Sequence, residues 1–296
     1  MGNCAVTVVI PTYQRPYQLL EALEKILDCE PQPNEVIVHI DGDDDTTEPI
    51  LRCSRFQEVK IIRSNQQVGP GGGRNRAIAE AKNELVASFD DDSYPIDSSY
   101  FARLIWLFQE FPDAAIIGSA IYHRHEAIAP DAVTANWVSN FVGCGCAYRR
   151  SIFQQTSGYV QLPVAYGMEE VDLSLRLFDM QWKVLESTWL RVFHDTELAH
   201  HNAPHITAAS ISNQALLAYL RYPFLLWWLG IGQCLSRVMW LARHQRTSGI
   251  FTGLLMIPQT ILQNKEHRQA VRSQSLFSYL RLRRDTVSAS FKHPSL

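Results

Sequence analysis

Apolar and polar positions follow two alternating periods over the first ninety residues. "AVTVVI" (5–10) is a short β-branched run, the pattern of a buried strand. "PYQLLEALEKILDC" (16–29) instead repeats its apolar residues at helical spacing, with Pro16 suited to a first turn. "EVIVHI" follows and stops at the acidic loop "DGDDDTTEP" (41–49). Then come a helical "ILRCSRF", the strand "VKIIRS", a glycine-rich turn, the helix "RNRAIAEAKN" and the strand "LVASF" (85–89). Strands separated by helical segments of this length predict a mostly parallel α/β sheet with helices on both faces. Ligands of such sheets bind beyond the carboxyl ends of the strands. Here those ends carry Thr12 and Tyr13, Asp41 to Asp45, and Asp90 to Asp92.

After about residue 98 the order loosens. The pattern predicts a helix over 98–110, a strand at "AAIIGS", a strand at "NFVGCGCAYRR" and an amphipathic helix at "MEEVDLSLRLFDM" with Leu173, Leu177 and Met180 on one face. "KVLES" and "WLRVF" read as two strands, the second ending at His194. The division this suggests is a catalytic unit over 1–206, in halves 1–97 and 98–206, followed by a helical basic extension over 207–296.

Three consecutive aspartates at the end of a buried strand oppose one another, so a cation is expected among them. Mg²⁺ or Mn²⁺ held by one or two carboxylates shares its remaining positions with phosphates. The neighbouring "NQQVGPGGGRNRAIAEAKN" strengthens that reading. Its glycines allow close backbone approach, and Arg74 and Arg76 open a helix whose N-terminus favours anions. No Gly-Lys-Ser/Thr follows the glycines, so this is not a P-loop, and the spacing is not that of a dinucleotide fingerprint. An acidic loop can also be merely solvated, which is the expectation for Asp43 to Asp45.

The order "VVIPTYQRP", "HIDGDDD", "NQQVGPGGGRNRAIAEAK", "SFDDDSYP", "GCGCAYRRSIF", "GMEEVDLSLRL" and "RVFHD" resembles the family 2 nucleotide-sugar glycosyltransferases of the GT-A fold, over roughly residues 5–200. The resemblance implies a UDP-, dTDP- or GDP-linked sugar donor, a divalent metal (Mn²⁺ or Mg²⁺) and inversion at the anomeric carbon. By motif it implies that Pro11, Thr12, Tyr13, Arg15, Asp41, Gly71, Arg74, Asp90 and Asp91 bind the donor, with Tyr13 stacking on the base and Asp41 accepting from it. Asp90, Asp92 and His194 would be the metal ligands, Asp92 by direct contact. Inversion needs a carboxylate to take the acceptor's proton. Glu170 falls where the family has an aspartate base, and this departure leaves Asp172 as a second candidate. Arg176, one turn beyond Asp172, would hold these carboxylates or be a plain i,i+4 partner.

Composition fits a globular enzyme: 296 residues, 46% apolar and 19% charged. The net charge of −3 divides unevenly, because residues 237–296 carry ten Lys or Arg against two acids and leave the rest strongly acidic. Two apolar runs, around "YPFLLWWLGIGQCL" and "TSGIFTGLLMIPQTIL", lie near these basic residues, and the first is too short by itself to span a bilayer. They fit helices in a membrane interface through 220–284, or else a packed helical subdomain. The family resemblance implies a glycan or lipid-linked acceptor, which favours the first reading and a peripheral membrane contact, and the cytoplasm is the expected compartment. No aromatic-basic motif supports nucleic acid as a partner. Six irregularly spaced cysteines make no disulfide framework, and Cys144 and Cys146 lack a second pair for a zinc site. His200, His201 and His205 with His194 are a weaker zinc pattern. "MGNCAVTVVIPTY" carries neither a signal peptide nor a myristoylation pattern. Two other functions stay open: a metal-dependent phosphohydrolase built on Asp41 and Asp43, and a sugar-nucleotide-binding protein without catalysis.

Overall fold

The computed structural model describes residues 2–162, 164, 166–196 and 203–289. His200 and His201 lie outside them. The first half runs β1 (Asn3–Thr12), α1 (Pro16–Leu27), β2 (Gln32–Ile40), α2 (Thr47–Arg52), β3 (Lys60–Arg63), α3 (Gly69–Glu80) and β4 (Leu85–Phe89). The second continues through β5 (Ser93–Pro95), α4 (Tyr100–Glu110), β6 (Ala114–His123), β7 (Ala135–Val138), β8 (Gly145–Arg149), α5 (Arg150–Phe153), α6 (Glu169–Asp179) and β9 (Lys183–His194). The extension holds α7 (Pro204–Arg221), α8 (Trp227–Arg243), α9 (Ile250–Gln263), α10 (Ser273–Leu282) and β10 (Val287–Ser288).

Among the described residues the strands form one sheet in the order β10-β7-β9-β6-β8-β4-β1-β2-β3, with β5 attached to β9. Pairing is parallel through β3, β2, β1 and β4, as the spacing of the first half predicts. Beyond β4 it becomes mixed, because β8 runs antiparallel to both β4 and β6 while β6 and β9 are parallel. Period-two alternation sorts β1 between two layers. Val6, Val8 and Ile10 pack with α1 and α4, whereas Val9 faces α3 and α6. Leu19, Leu23 and Ile26 of α1 are fully buried against the first layer, each contributing on the order of 2 kcal/mol.

Two elements differ from the sequence pattern. "KVLES" and "WLRVF" are a single twelve-residue strand, β9, whose pairing with β6 shifts register between Ser119 and Ala120. Ser187 and Thr188, where the two predicted strands meet, sit at this irregularity. The predicted glycine-rich turn is helical: α3 begins at Gly69, five residues before Arg74. Gly73 is needed there for space, since a Cβ would come 2.7 Å from His39 Nδ1 and 3.0 Å from Pro11.

The extension packs on α6. Leu216, Leu217 and Leu220 of α7 share a cluster with Val160, Leu162 and Met168, and Leu175 of α6 meets Tyr222, Leu276 and Tyr279. At the centre of this junction lies an ion triad. Asp172 is fully buried, accepts from Arg176 Nε at 2.9 Å and pairs with Arg221, itself fully buried. Arg221 also donates to the carbonyls of His267 (2.9 Å) and Gln269 (3.3 Å), so one guanidinium joins α6, α7 and the segment before α10. Removing one member of a buried pair strands its partner's charge. Arg221→Ala is therefore expected to lower stability by about 3–5 kcal/mol, read from the urea midpoint, with Arg221→Lys intermediate; a loss under about 1 kcal/mol would contradict this account.

Candidate active site

The carboxyl ends of β1, β2 and β4 open into a cleft of about 590 Å³. Pro11, Thr12, Tyr13, Arg15, Asp41, Asp90, Asp91, Asp92 and His194 line it, all of them residues singled out by motif. Gly69, Pro70 and Thr196 also line it and were not singled out.

The aspartate trio is neutralised from three other elements. Arg74 of α3 pairs with Asp90. Arg15, following β1, donates to Asp91 at 2.8 Å and to Asp92 at 2.7 Å. His194 at the end of β9 lies 3.2 Å from Asp92, and Thr12 Oγ1 donates to Asp91 at 2.8 Å. The expectation of repulsion in the absence of a metal thus gives way to a loop pinned by the protein's own cations. Burial pushes the Asp91 carboxyl up to about 7, against the opposing charge of Arg15. Burial also disfavours ionised Asp92, but His194 and Arg15 more than offset it and its carboxyl lies below the ordinary range. The same pairing raises His194 despite its burial.

The acidic loop after β2 is not merely solvated. Asp44 is fully buried and accepts from the backbone N–H groups of Gln14 (2.7 Å), Thr46 (3.0 Å) and Thr47 (3.0 Å) and from both threonine hydroxyls. Asp43 accepts from the Tyr13 hydroxyl at 2.9 Å, while Asp45 is exposed beside Arg63. Asp41 accepts from Val68 and Gly69 N–H at 2.9 Å each, which caps α3. Both oxygens of Asp41, the residue that a phosphohydrolase would need as its nucleophile, are thus engaged by backbone N–H groups.

The α3 N-terminus, expected to take phosphate, is likewise already in use. Its N–H groups go to Asp41 and, from Gly71 at 3.2 Å, to Glu169. Arg74 is buried, donating to Ser88 at 2.9 Å as well as to Asp90. Gly71 therefore lies beneath the cleft, packed against Glu169, and Arg76 is exposed. Glu169 was missed in the sequence because one of two adjacent acids at a helix start looks like ordinary decoration. Burial, with the charge of Glu170 second, pushes its carboxyl up to about 8.

Glu170 stands beside Arg74, its Oε1 3.0 Å from where a Cβ on Gly143 would sit. Burial raises its carboxyl, with Arg74 opposing. Asp172 is not brought to the cleft: both its oxygens are held by Arg176 and Arg221, so it cannot meet an acceptor hydroxyl. The cleft does suit a divalent cation. Ligand atoms of Asp90, Cys144 and His194 lie within 4.8 Å of one another, and Asp92 adjoins His194.

This sheet and carboxylate-edged cleft have the architecture of the GT-A glycosyltransferases. The chain belongs to glycosyl transferase family 2, whose sequence profile matches residues 7–156. It is 23% identical over 200 residues to the O-antigen chain rhamnosyltransferase RfbN of Salmonella typhimurium, covering 60% of this chain and 62% of that protein. It is 28% identical over 90 residues to a GalNAc(5)-diNAcBac-PP-undecaprenol beta-1,3-glucosyltransferase of Campylobacter jejuni, 29% of each chain. These matches span less than two thirds of either relative. In structure it resembles S. aureus TarS 1-349 in complex with UDP-GlcNAc, with TM-score 0.61 at 16% identity over 95% of this chain and 89% of that one. It also resembles a Pyrobaculum calidifontis mannosyltransferase in complex with GDP-Man and Mn²⁺, with TM-score 0.60 at 15% identity over 95% and 86%.

The Asp44 anchor can be tested by pH. Its hydrogen bonds more than offset burial and hold its carboxyl down at about 2. A depressed carboxylate stabilises the fold above its unfolded pKa and loses that contribution as pH falls from about 4 towards 2. Asp44→Asn should cost about 2 kcal/mol at pH 7, and the gap from wild type should narrow by pH 3 in urea titrations. A gap independent of pH would refute the assignment.

Proposed function

We propose that the protein is an inverting, metal-dependent glycosyltransferase that moves a sugar from a UDP-, dTDP- or GDP-linked donor to a glycan or lipid-linked acceptor. The observation that carries this reading is a cleft lined by Asp41, Asp90, Asp91 and Asp92 with Arg15 as its one arginine among the described lining residues. Arg15, Arg74 and His194 balance the aspartates themselves, so the added negative charge of a donor diphosphate calls for a divalent cation beside it. Asp90, Asp92 and His194 would hold Mn²⁺ or Mg²⁺, and the bound ion would supply positive charge to the leaving diphosphate. Pro11, Thr12 and Tyr13 form the base side of the cleft. The Tyr13 ring is half-buried and its hydroxyl is fixed by Asp43, so it offers a face for stacking.

Glu170 is the proposed base. The acceptor oxygen bonds to the anomeric carbon, its proton passes to the Glu170 carboxylate, and the nucleoside diphosphate leaves with the electrons of the broken C–O bond. A base must be ionised to act, and a carboxyl raised by burial moves the acid limb of the pH–rate profile above the ordinary glutamate range. Arg74 keeps the ionised form accessible. The alternative of binding without turnover makes the opposite prediction for this residue.

The names of the two relatives, one an O-antigen chain transferase and one acting on an undecaprenol-linked glycan, support a lipid-linked acceptor. So does the outer surface of the extension. Phe224, Leu225, Trp228, Ile231, Leu235 and Met239 are more than half exposed, and all but Leu225 recur at helical spacing along one face. Phe251, Leu255 and Leu262 of α9 are likewise exposed. Phe224–Arg243 as a whole is long and apolar enough to cross a membrane by length and composition, which the shorter charge-free run did not suggest. Its inner face, however, packs on the folded body: Gly230 meets Ala218, and Cys234 and Leu241 join Ile211 of α7. A helix so attached lies along a bilayer surface at the cytoplasmic side, and neighbouring arginines suit anionic lipid.

The donor site is tested by thermal shift with UDP-, dTDP- and GDP-sugars, each with and without Mn²⁺. One nucleotide class should stabilise wild type in a metal-dependent way and fail with Asp92→Ala. Glu170→Gln should keep that shift while losing about 10²–10⁴-fold in turnover; no shift with any nucleotide would sink the transferase reading, and full turnover in Glu170→Gln would exclude it as base. For the membrane face, the double variant Trp228→Glu with Leu235→Glu should stop co-sedimentation with anionic vesicles while leaving turnover of a water-soluble acceptor unchanged. Undiminished sedimentation would move the contact elsewhere.

A further inference from the structure

The motifs that point to a metal name two aspartates and a histidine, and leave out the side chain that completes the cluster. Cys144 precedes β8, which pairs antiparallel with β4 so that Gly145 stands opposite Phe89. The next step along both strands brings Cys144 beside Asp90. From the other side, β5 pairs with the end of β9 and sets Ser93 opposite His194. Donor atoms of Asp90, Cys144 and His194 consequently converge within 4.8 Å from three separate parts of the chain.

This convergence is built, with Ser93 as its tie. The Ser93 hydroxyl donates to the Cys144 carbonyl at 2.6 Å and accepts from the Asp90 N–H at 2.7 Å, while Ser93 itself pairs with His194 in the sheet. One residue thus fixes the backbones of all three.

The thiol is also the odd one out among the buried cysteines. Cys4, Cys29, Cys146 and Cys234 are buried and each directs its Sγ to an oxygen acceptor. Cys144 is 3% exposed, yet among the described residues its Sγ has no hydrogen-bond partner. It lies within 4.8 Å of a ligand atom of the Asp90 carboxylate and of the His194 imidazole. Burial, with the charge of Asp90 second, keeps the thiol protonated in the absence of a cation, so it is not a ready nucleophile.

We infer that Cys144 is a ligand of the cation held by Asp90 and His194, and that the site therefore prefers a divalent transition ion to Mg²⁺. Mg²⁺ takes oxygen ligands and dehydrates reluctantly, whereas thiolate and imidazole donors suit the softer ions of the transition series. On binding, the Sγ–H proton passes to solvent and the sulfur lone pair bonds to the metal; nothing is oxidised or reduced. The inference rests on the reading of this cleft as the donor's metal site, and it adds to that reading a source of metal selectivity.

Co²⁺ is the probe, because a thiolate ligand gives it a sulfur-to-cobalt charge-transfer band in the near ultraviolet, separate from its weaker d–d bands. The full chain, kept reduced with a non-thiol reductant under anaerobic conditions, is titrated with Co²⁺ as wild type, Cys144→Ser and Cys146→Ser. The expected result is a charge-transfer band in wild type and in Cys146→Ser that is lost in Cys144→Ser, with d–d bands of bound Co²⁺ surviving in all three. Bound Co²⁺ without the sulfur band in wild type, survival of that band in Cys144→Ser, or no Co²⁺ binding would each overturn the inference. Circular dichroism of the near-isosteric Cys144→Ser confirms its fold. Sugar-nucleotide stabilisation is a separate readout. If it persists with Mn²⁺ while the sulfur band is absent, Cys144 is wrong and the transferase reading stands; if no nucleotide binds with any metal, the transferase reading itself fails.

Discussion

Asp90, Asp91 and Asp92 end β4 side by side, and their mutual repulsion is met by Arg74 from α3, Arg15 from the β1 loop and His194 from β9. Each cation belongs to a different element, so these pairs connect the two halves of the sheet at its carboxyl edge. Two of the three aspartates are about 95% buried, where an unpaired charge would be costly. The loop is organised before any donor arrives. Preorganisation of this kind places the reorganisation cost in folding and leaves the cleft ready for its ligand.

The same economy of carboxylates shapes the surroundings. Asp41 caps α3, Asp44 holds the turn after β1, and Glu169 receives the Gly71 N–H. Glu170, the other acid at the start of α6, stands close to Arg74 and to the Gly143 backbone. The position of α6 is in turn set by the Asp172–Arg221 contact with the extension. Helix α7, against which the apolar-surfaced α8 packs, is therefore joined by one buried ion triad to the helix that carries the proposed base.

Much of this edge was legible in the chain. Strand ends marked by "PTY", "HIDG" and "FDDD" located the cleft, because a parallel sheet puts such ends on one side. What could not be read was which oxygen each carboxylate serves. A buried Asp44 and an exposed Asp45 are adjacent and chemically identical, and only the approach of Gln14, Thr46 and Thr47 separates them. Asp172 stood as a second candidate base by family resemblance, but its partner Arg221 lies 49 residues away in a region whose composition suggested lipid. The start of α3 was missed because glycines argue against helix. Their small size is what lets that helix sit against His39 and Pro11.

Charge balance also constrains the order of binding on the proposed reading. Asp90, Asp91 and Asp92 face Arg15, Arg74 and His194, so without ligands the edge is already close to neutral when His194 is charged. A divalent cation alone would take up His194 as a ligand, displace Arg15 from Asp92 and leave that guanidinium to find another partner. A cation arriving with a diphosphate brings its own counter-charge, and Arg15, the more exposed of the two arginines, can turn from the aspartates to the phosphates. Metal and donor should accordingly bind with positive coupling, each raising the affinity of the cleft for the other by the same factor. Arg74, buried and tied to Ser88, has no such freedom. It remains the fixed charge against which Asp90 and Glu170 are both held.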